Sequence, residues 1–162
     1  MTFDELKSQV TKFTTAVEDR DGAWHLTAEQ EMLRPLLEAV HPVFDYPEDL
    51  TCIDEGVALR VFYRFYALAS RQLLHVYVLV PREDAHLPTA ADLWRGLEWH
   101  EREVFDLFGV TFDGHPDMRR ILTWEGFTGH PLLKDYVVDN DDSSWQIPEQ
   151  CDEEIVDLLE KT

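Results

Sequence analysis

The side chains of this chain that could do chemistry are concentrated between residues 98 and 136. The charged and imidazole groups there are Glu101, Arg102, Glu103, Asp106, His115, Arg119, Arg120, His130, Lys134 and Asp135. Carboxylates beside imidazoles are the usual components of a general acid–base pair. One hypothesis is therefore a free-standing enzyme with a pocket lined by Glu101, His115 and His130, although spacing alone does not show which side chains meet.

The sequence patterns that bind metals or nucleotides are incomplete. His100 begins a zincin-like helix motif, but Val104 stands where the second histidine is needed. The two cysteines, Cys52 and Cys151, form no C-x-x-C pair, and neither a Gly-x-Gly-x-x-Gly turn nor a P-loop occurs. We therefore expect this chain to hold no metal, iron–sulfur cluster, flavin or nucleotide of its own.

The charges on the predicted helix over residues 98–108 fit two interpretations. Exposed ion pairs contribute only about 0–1 kcal/mol each, and a solvated helix face would serve solubility alone. Glu101, however, shares a helix face with the aromatic Phe105 and needs a partner if it is buried. We therefore predict a partly buried network in which Arg102 pairs with Asp106, with further cations supplied by Arg119, Arg120 and Lys134.

A Gly-His-Pro turn occurs twice, fifteen residues apart. Residues 112–119 read F-D-G-H-P-D-M-R, and residues 127–134 read F-T-G-H-P-L-L-K. Gly114 and Gly129 are predicted to take positive φ, and each proline keeps the histidine before it extended. The two copies are predicted to form two similar turns of one surface feature.

The order of these motifs resembles one protein family. Glu-Arg-Glu, Asp-Leu-Phe, a separate His, Arg and Ile-Leu, and then Gly-His-Pro-Leu-x-Lys-Asp-Tyr follow one another over residues 101–136. This pattern resembles the 30 kDa subunit, also called the C subunit, of proton-pumping NADH-quinone oxidoreductase (respiratory complex I). The resemblance covers about residues 90–136, and the order of elements extends it back to Trp24. Leu133 and Val137 depart from the family pattern, which has arginine and proline there.

The resemblance implies an accessory, structural subunit that is not catalytic by itself. In such a complex, electrons pass from NADH through FMN and iron–sulfur clusters to quinone, and partner subunits hold these cofactors. The chain would lie peripherally on the cytoplasmic side of the inner membrane, against the quinone-site D subunit and the iron–sulfur B and I subunits, with the charged motif residues at the interfaces. The nearest alternative is the same subunit type in a membrane-bound hydrogenase, or in a ferredoxin- or F420-dependent dehydrogenase.

The chain is strongly acidic, with a formal net charge of -19 over 162 residues. This charge repels nucleic acid and anionic lipid and favours basic protein partners, although it could equally serve solubility. No apolar run is long enough to span a membrane, and the N-terminus lacks the features of a secretion signal. We therefore expect a soluble protein that binds other proteins.

Period-two alternation predicts the sheet. Apolar residues alternate with polar ones over residues 57–65 and again over 74–80, so the two segments are predicted to form a long hairpin. Short strands are predicted over residues 23–26 and 50–53. Together with helices before and after them, these strands predict an α+β fold: a two-layer sandwich of a mixed or antiparallel sheet with helices on one face.

Two amphipathic helices are predicted before the hairpin. Residues 3–18 have apolar positions at helical spacing behind a capping box formed by Thr2 and Glu5. A second helix is predicted from a cap at Thr27 to Val40, with Pro35 kinking or splitting it.

The composition changes after residue 136. Residues 135–162 hold ten acidic residues against one base, Lys161. We predict a single α+β domain over residues 1–136 and an acidic tail over residues 137–162 that docks on partner subunits through isolated apolar residues such as Trp145. Plain disorder is the alternative for this tail.

Overall fold

A mixed five-stranded sheet forms the centre of the fold. Its strands are β1 (Ala16–Arg20), β2 (Ala23–Ala28), β3 (Tyr46–Asp54), β4 (Ala58–Ala67) and β5 (Gln72–Pro81). They lie in the order β1-β2-β5-β4-β3, in which β2 and β5 are parallel and the other neighbours antiparallel. The computed structural model describes residues 2–124 and 126–137 of the chain.

The predicted alternation builds the two faces of the hairpin β4–β5. The two strands pair in register from Ala58–Pro81 to Ala67–Gln72. Leu59, Val61, Tyr63 and Phe65 point to the buried face, and every second residue of β5 joins them in the core. Burying each such large side chain contributes about 1.5–3 kcal/mol, which fixes the register of the sheet. The hairpin predicted from the sequence is confirmed.

Helices cover the buried face of the sheet. In the described residues these are α1 (Phe3–Val10), α2 (Leu33–Val40) and α3 (Leu97–Phe108). Their apolar side chains join one cluster with the buried face of the sheet; α1 packs on α2, and α3 packs on β3. The predicted two-layer α+β fold is therefore confirmed.

The N-terminal helix is shorter than the predicted span of residues 3–18. The capping box forms, but α1 ends at Val10 and is followed by a short 3-10 helix at Thr11–Phe13 and by strand β1. Asp21 and Gly22 both have positive φ (55° and 79°) and form the tight turn between β1 and β2. Pairing with β2 overrides the helical pattern of this segment.

The second helix also begins later than predicted. Thr27 lies inside β2, and a 3-10 helix at Gln30–Met32 precedes α2. Pro35 is then in the first turn of α2, where a backbone N–H has no helical partner to lose. The predicted kink is therefore wrong, because the true start of the helix places proline where it is tolerated.

A second, two-stranded sheet holds together the segments before and after α3. The sequence predicted only a polar loop from residue 81 to 88, but β6 (His86–Pro88) pairs in parallel with β7 (Thr111–Asp113). The N–H of Thr89 also donates to the carbonyl of Asp113 at 2.9 Å. The chain therefore enters and leaves α3 at a fixed separation.

No helix in the described part of the chain has the length and apolar character needed to cross a bilayer. Residues 138–162 lie outside the described residues. The boundary predicted at residue 136 and the docking of the acidic tail therefore stay predictions.

Candidate functional site

Helix α3 carries the motif and ends at a glycine that no other residue could replace without strain. Gly109 has φ of 81°, and its N–H donates to the carbonyl of Phe105 at 2.9 Å. A Cβ at this position would lie 2.8 Å from Cδ2 of His130. Gly109 is therefore required by the left-handed helix cap and by the close approach of the second Gly-His-Pro turn.

Asp106 is fully buried and organises the loop that follows β7. Its Oδ2 accepts from the backbone N–H groups of Ile121, Leu122 and Thr123 at 3.0, 2.7 and 2.8 Å. Its Oδ1 accepts from Nη1 of Arg120 at 2.7 Å and from the hydroxyl of Thr123. We call these five donors the Asp106 cage.

The cage keeps Asp106 ionised. Burial favours the neutral acid, but the hydrogen bonds from Thr123, Ile121 and Leu122 outweigh burial and hold the pKa of Asp106 well below its usual range. The carboxylate is therefore charged throughout the physiological pH range.

Arg120 links the Asp106 cage to the second Gly-His-Pro turn. Besides its ion pair with Asp106, it donates through Nη2 to the carbonyl of Gly129 at 2.9 Å. Its guanidinium also lies 5.7 Å from the ring centre of Phe127. One cation therefore holds the loop and the turn on the C-terminal end of α3.

Arg102 holds the same loop from one turn earlier on α3. It is only 8% exposed, and it donates through Nε to the carbonyl of Arg119 at 3.0 Å and through Nη2 to that of Arg120 at 3.3 Å. Its guanidinium lies 5.1 Å from the ring centre of Trp99. Arg102 therefore satisfies carbonyl groups, and its nearest carboxylate, on Asp117, is 3.9 Å away.

The predicted pair of Arg102 with Asp106 is wrong. Pairs four residues apart stabilise a helix by only about 0.2–0.5 kcal/mol, whereas the loop offers Asp106 three backbone amides and a buried guanidinium. The tertiary contacts therefore redirect both charges, and Arg120 becomes the ion-pair partner of Asp106.

The two histidines of the Gly-His-Pro turns bind the two ends of α3. Nε2 of His115 lies 3.0 Å from the carbonyl of Glu98, while its Nδ1 accepts from the N–H of Asp117 at 3.0 Å. Nδ1 of His130 lies 2.9 Å from the carbonyl of Asp106. The two carbonyls are separated by about 12 Å along the helix at 1.5 Å per residue. The repeated motif therefore forms two equivalent attachments to one helix.

The glycines of both turns have the predicted positive φ, 85° at Gly114 and 82° at Gly129. Glu101, in contrast, bonds to neither histidine, because its carboxyl faces the segment before α3. Within the described residues Glu101 therefore forms no hydrogen-bonded pair with His115 or His130, and these contacts give the acid–base hypothesis no support.

Glu101 is fully buried and forms no ion pair within the described residues. Its oxygens accept from the Thr89 hydroxyl at 2.5 Å and from the Ala90 N–H at 2.6 Å. Burial raises the pKa of Glu101 to about 7, although these two bonds oppose the shift. The prediction that Glu101 is paired with a cation is therefore wrong; the partners foreseen for it were Arg119, Arg120 and Lys134.

The remaining charges of the motif lie at its surface. Glu103 is exposed, and Arg119 makes a two-bond ion pair with Asp117 at 2.6 and 2.7 Å. Guanidinium hydrogen bonds hold the pKa of Asp117 below its usual range. Glu103 lies on the surface of α3, and Asp117 and Arg119 lie on the surface of the loop that Asp106 and Arg102 hold in place.

The end of the motif is fastened to the sheet by Asp54, which the sequence analysis did not single out. The buried carboxylate of Asp54 accepts from the N–H of Lys134 at 2.8 Å and from that of Gly56 at 2.7 Å, and it lies 3.5 Å from Arg82. Arg82 also pairs with Asp135. The Asp-x-Gly sequence at residues 54–56 was the available signal, since Asp accepts from the amide two residues on.

Apolar side chains are exposed around this supported loop. The exposed fractions are 62% for Leu122, 39% for Trp124 and 52% for Leu132, and Trp99 on α3 and Val137 at the end of the motif are also exposed. We call these five residues the apolar rim. Exposed apolar side chains grouped on a rigid support are typical of protein-binding surfaces.

The described residues hold no group of three or more His, Cys, Asp or Glu side chains placed to hold a metal ion.

These observations define an α+β domain whose motif helix, α3, positions a loop that exposes apolar side chains. Residues 26–142 match the family described as the 30 kDa subunit of respiratory-chain NADH dehydrogenase, and this chain belongs to that family. The resemblance read from the motif is confirmed.

Two relatives illustrate the match. The C subunit of NADH-quinone oxidoreductase from Chloroherpeton thalassium is 40% identical over 146 residues, which cover 78% of this chain and 57% of the relative. The C/D subunit from Gluconacetobacter diazotrophicus is 42% identical over 135 residues, which cover 72% of this chain and 22% of the relative. The chain spans about half the length of the curated C-type relatives that it matches.

Two solved structures share the fold. The trypsin-resistant fragment of Nqo5 is 28% identical, with a TM-score of 0.60 over 70% of this chain and 94% of the fragment. A chain of the membrane-bound sulfane sulfur reductase, an archaeal respiratory membrane complex, has a TM-score of 0.74 over 92% of this chain and 94% of its own length. At 21% identity, the second likeness concerns the fold alone.

Proposed function

We propose that this chain is a structural subunit, without a cofactor of its own, in the peripheral arm of a proton-translocating NADH:quinone oxidoreductase. It binds partner subunits on the cytoplasmic side of the membrane, while electrons pass from NADH through FMN and iron–sulfur clusters in those partners to quinone. Family membership supports the complex, and the Asp106 cage supports the structural role.

The Asp106 cage carries this proposal. Both oxygens of Asp106 are occupied by donors of the chain itself, and Arg120 divides its own donors between Asp106, Thr123 and Gly129. Groups satisfied in this way position a backbone and have little capacity left for a substrate. The cage instead holds residues 120–123 in one conformation, and a preorganised surface loses less entropy when a partner binds.

The partner contacts follow from what the cage leaves exposed. Leu122 and Trp124 of the apolar rim are exposed on the same motif segment as the exposed charged residues Glu103, Arg119 and Lys134. An apolar centre edged by charges is the usual anatomy of a protein–protein interface. We assign this surface to the quinone-site D subunit and place the iron–sulfur B and I subunits as further neighbours; the relative named as a C/D subunit supports the closeness of the D subunit.

Co-purification tests the assignment. A tagged chain is expressed in cells that contain the rest of the complex, and the subunits that purify with it are identified by mass spectrometry. We compare Leu122→Glu with Leu68→Glu, which replaces a leucine of similar exposure, 58%, in the turn between β4 and β5.

The wild type and Leu68→Glu should recover the D, B and I subunits equally, and Leu122→Glu should recover them several-fold less. Equal recovery with all three chains would show that the apolar rim is not part of the interface. Recovery of hydrogenase or ferredoxin-dependent dehydrogenase subunits would move the chain to a different complex.

A further inference from the structure

Glu101 is a buried ionisable group on α3 that the docking role does not use. We propose that Glu101 is a proton-operated latch between α3 and the turn at residues 89–91, closed while the carboxyl is neutral and loosened when it ionises near neutral pH. The latch is a property of the chain alone and does not depend on which subunits bind it.

Burial without a charged donor favours a neutral carboxyl at the latch, although its two hydrogen-bond donors favour the ionised form. Glu101 is 0% exposed, and its two close partners, the Thr89 hydroxyl and the Ala90 N–H, carry no charge. The Thr89 oxygen is itself fixed, because it accepts from the N–H of Ala91 at 3.1 Å. Burying an ionised carboxylate with only neutral donors is costly, so the acid retains its proton to a higher pH than it would in water.

Three titratable or charged groups surround the latch, and none neutralises it. Tyr63, on β4, has a buried hydroxyl without a hydrogen-bond partner, and burial together with the charge of Glu101 raises the pKa of that phenol. Asp92 adds negative charge, which disfavours a second carboxylate nearby. The positive charge of Arg34, on α2, lowers the pKa of Glu101, but this guanidinium is held at 2.7 Å by both Asp92 and Glu38.

Arg34 also fixes the turn against which the latch closes. Its Nη1 donates to the carbonyl of Thr89 at 2.9 Å, so the turn is held on α2 whether or not Glu101 is charged. Ionisation therefore favours opening on the α3 side, because an opened carboxylate regains its hydration. The Asp106 end of the helix has its own charged partner and stays in place.

The direction of the pH effect follows from linkage. The folded-state pKa of Glu101, about 7, is above the value of 4.5 for the exposed side chain. The latch therefore has its full stabilising effect below about pH 4.5 and loses it as pH rises through 7. Between about pH 4.5 and 7, the equilibrium constant for opening rises about tenfold for each pH unit, and above pH 7 it stays constant.

Infrared spectroscopy of the whole chain tests the latch directly. The C=O stretch of a protonated carboxylic acid is followed from pH 4 to 9 in the wild type, in Glu101→Gln and in Glu103→Gln. Glu103 is the matched control, because it is the same residue type, exposed, on the same helix. The wild type and Glu103→Gln should keep a protonated-acid band that titrates near pH 7, and Glu101→Gln should lack it.

Hydrogen exchange locates the loosening. After correction for the intrinsic exchange rate, protection of the amides of residues 90–91 and 101–104 should fall at least tenfold from pH 5 to 7 in the wild type, but not in Glu101→Gln. The amides of residues 121–123, in the Asp106 cage, should show no such fall.

Two results would overturn the latch: a wild-type spectrum without an acid band that Glu101→Gln removes, or protection that falls equally in both chains. Should Glu101→Gln fail to fold, carbon-13 NMR of the glutamate carboxyls in the wild type decides the matter without a variant. One glutamate carbon titrating near pH 7 supports the latch, and titration of every glutamate near its ordinary value refutes it.

Discussion

Two carboxyl groups on α3, five residues apart and both fully buried, have pKa values that are shifted in opposite directions. Glu101 has two neutral donors and a raised pKa, about 7, whereas Asp106 has five donors, one of them a guanidinium, and a pKa well below its usual range. Burial pushes both groups toward the neutral form. The number and charge of the donors therefore decides which carboxyl is ionised.

The difference divides the helix into two regions of different character. The region around Asp106 is held by charge, by two guanidinium groups and by a histidine on a backbone carbonyl. The region around Glu101 is held by neutral hydrogen bonds to the turn at residues 89–91. The first should be insensitive to pH near neutrality, and the second should respond to it.

The largest effect is expected from Asp106→Asn. This change leaves the partly buried Arg120 without its counter-charge and gives the loop amides an uncharged acceptor, so the free energy of unfolding should fall by about 3 kcal/mol. Urea denaturation at pH 7.5 measures the loss. Asp113→Asn, at an exposed carboxylate in β7, is the control and should change stability by less than about 0.5 kcal/mol.

The same variant has a predicted pH dependence. Since the folded-state pKa of Asp106 is depressed, its contribution is present above the unfolded value of 3.8 and is lost as pH falls. The difference in the free energy of unfolding between the wild type and Asp106→Asn should therefore decrease toward pH 3. A gap that is small at pH 7.5, or that widens in acid, would show that Asp106 is not the ionised centre of the loop.

The second effect has the opposite sign. In Glu101→Gln the amide can accept from Ala90 and donate to Thr89 without any charge, so the variant should be more stable than the wild type by about 1–3 kcal/mol at pH 7.5. The advantage should shrink toward pH 4.5, where the wild-type carboxyl keeps its proton. Urea midpoints at the two pH values measure this stability difference. If Glu101→Gln were instead destabilised at pH 7.5 as strongly as Asp106→Asn, both carboxyls would stabilise the fold as ionised groups.

The smallest effect is the difference in stability between Gly109→Ala and Gly22→Ala, and it tests how His130 packs at the Asp106 end of α3. Gly109→Ala imposes a left-handed alanine and a contact of 2.8 Å with the His130 ring, whereas Gly22→Ala imposes only the left-handed conformation, since no atom lies within 4 Å. Strain alone costs about 1–2 kcal/mol, so Gly109→Ala should lose more than Gly22→Ala. Equal losses in thermal or urea unfolding would mean that the His130 ring moves aside freely.

The elements whose pattern agrees with their packing were predictable from the sequence. Alternation over the hairpin β4–β5 survives in the structure because one buried face enforces the same period that the sequence shows, and the helix predicted over residues 98–108 is found at Leu97–Phe108. Residues 16–18 were wrongly predicted to be helical, because the edge strand β1 that contains them is stabilised by its neighbour and shows little pattern of its own.

The sequence by itself determined the family, the α+β class and the residues of the motif, because these depend on residue types at short spacing. Only the tertiary structure decided the partners: Arg120 rather than Arg102 for Asp106, Asp54 for the end of the motif, and neutral groups for Glu101. Buried charges take the best donors that the fold brings near them. That choice depends on segments up to 80 residues apart, as between Asp54 and Lys134, which local spacing does not encode.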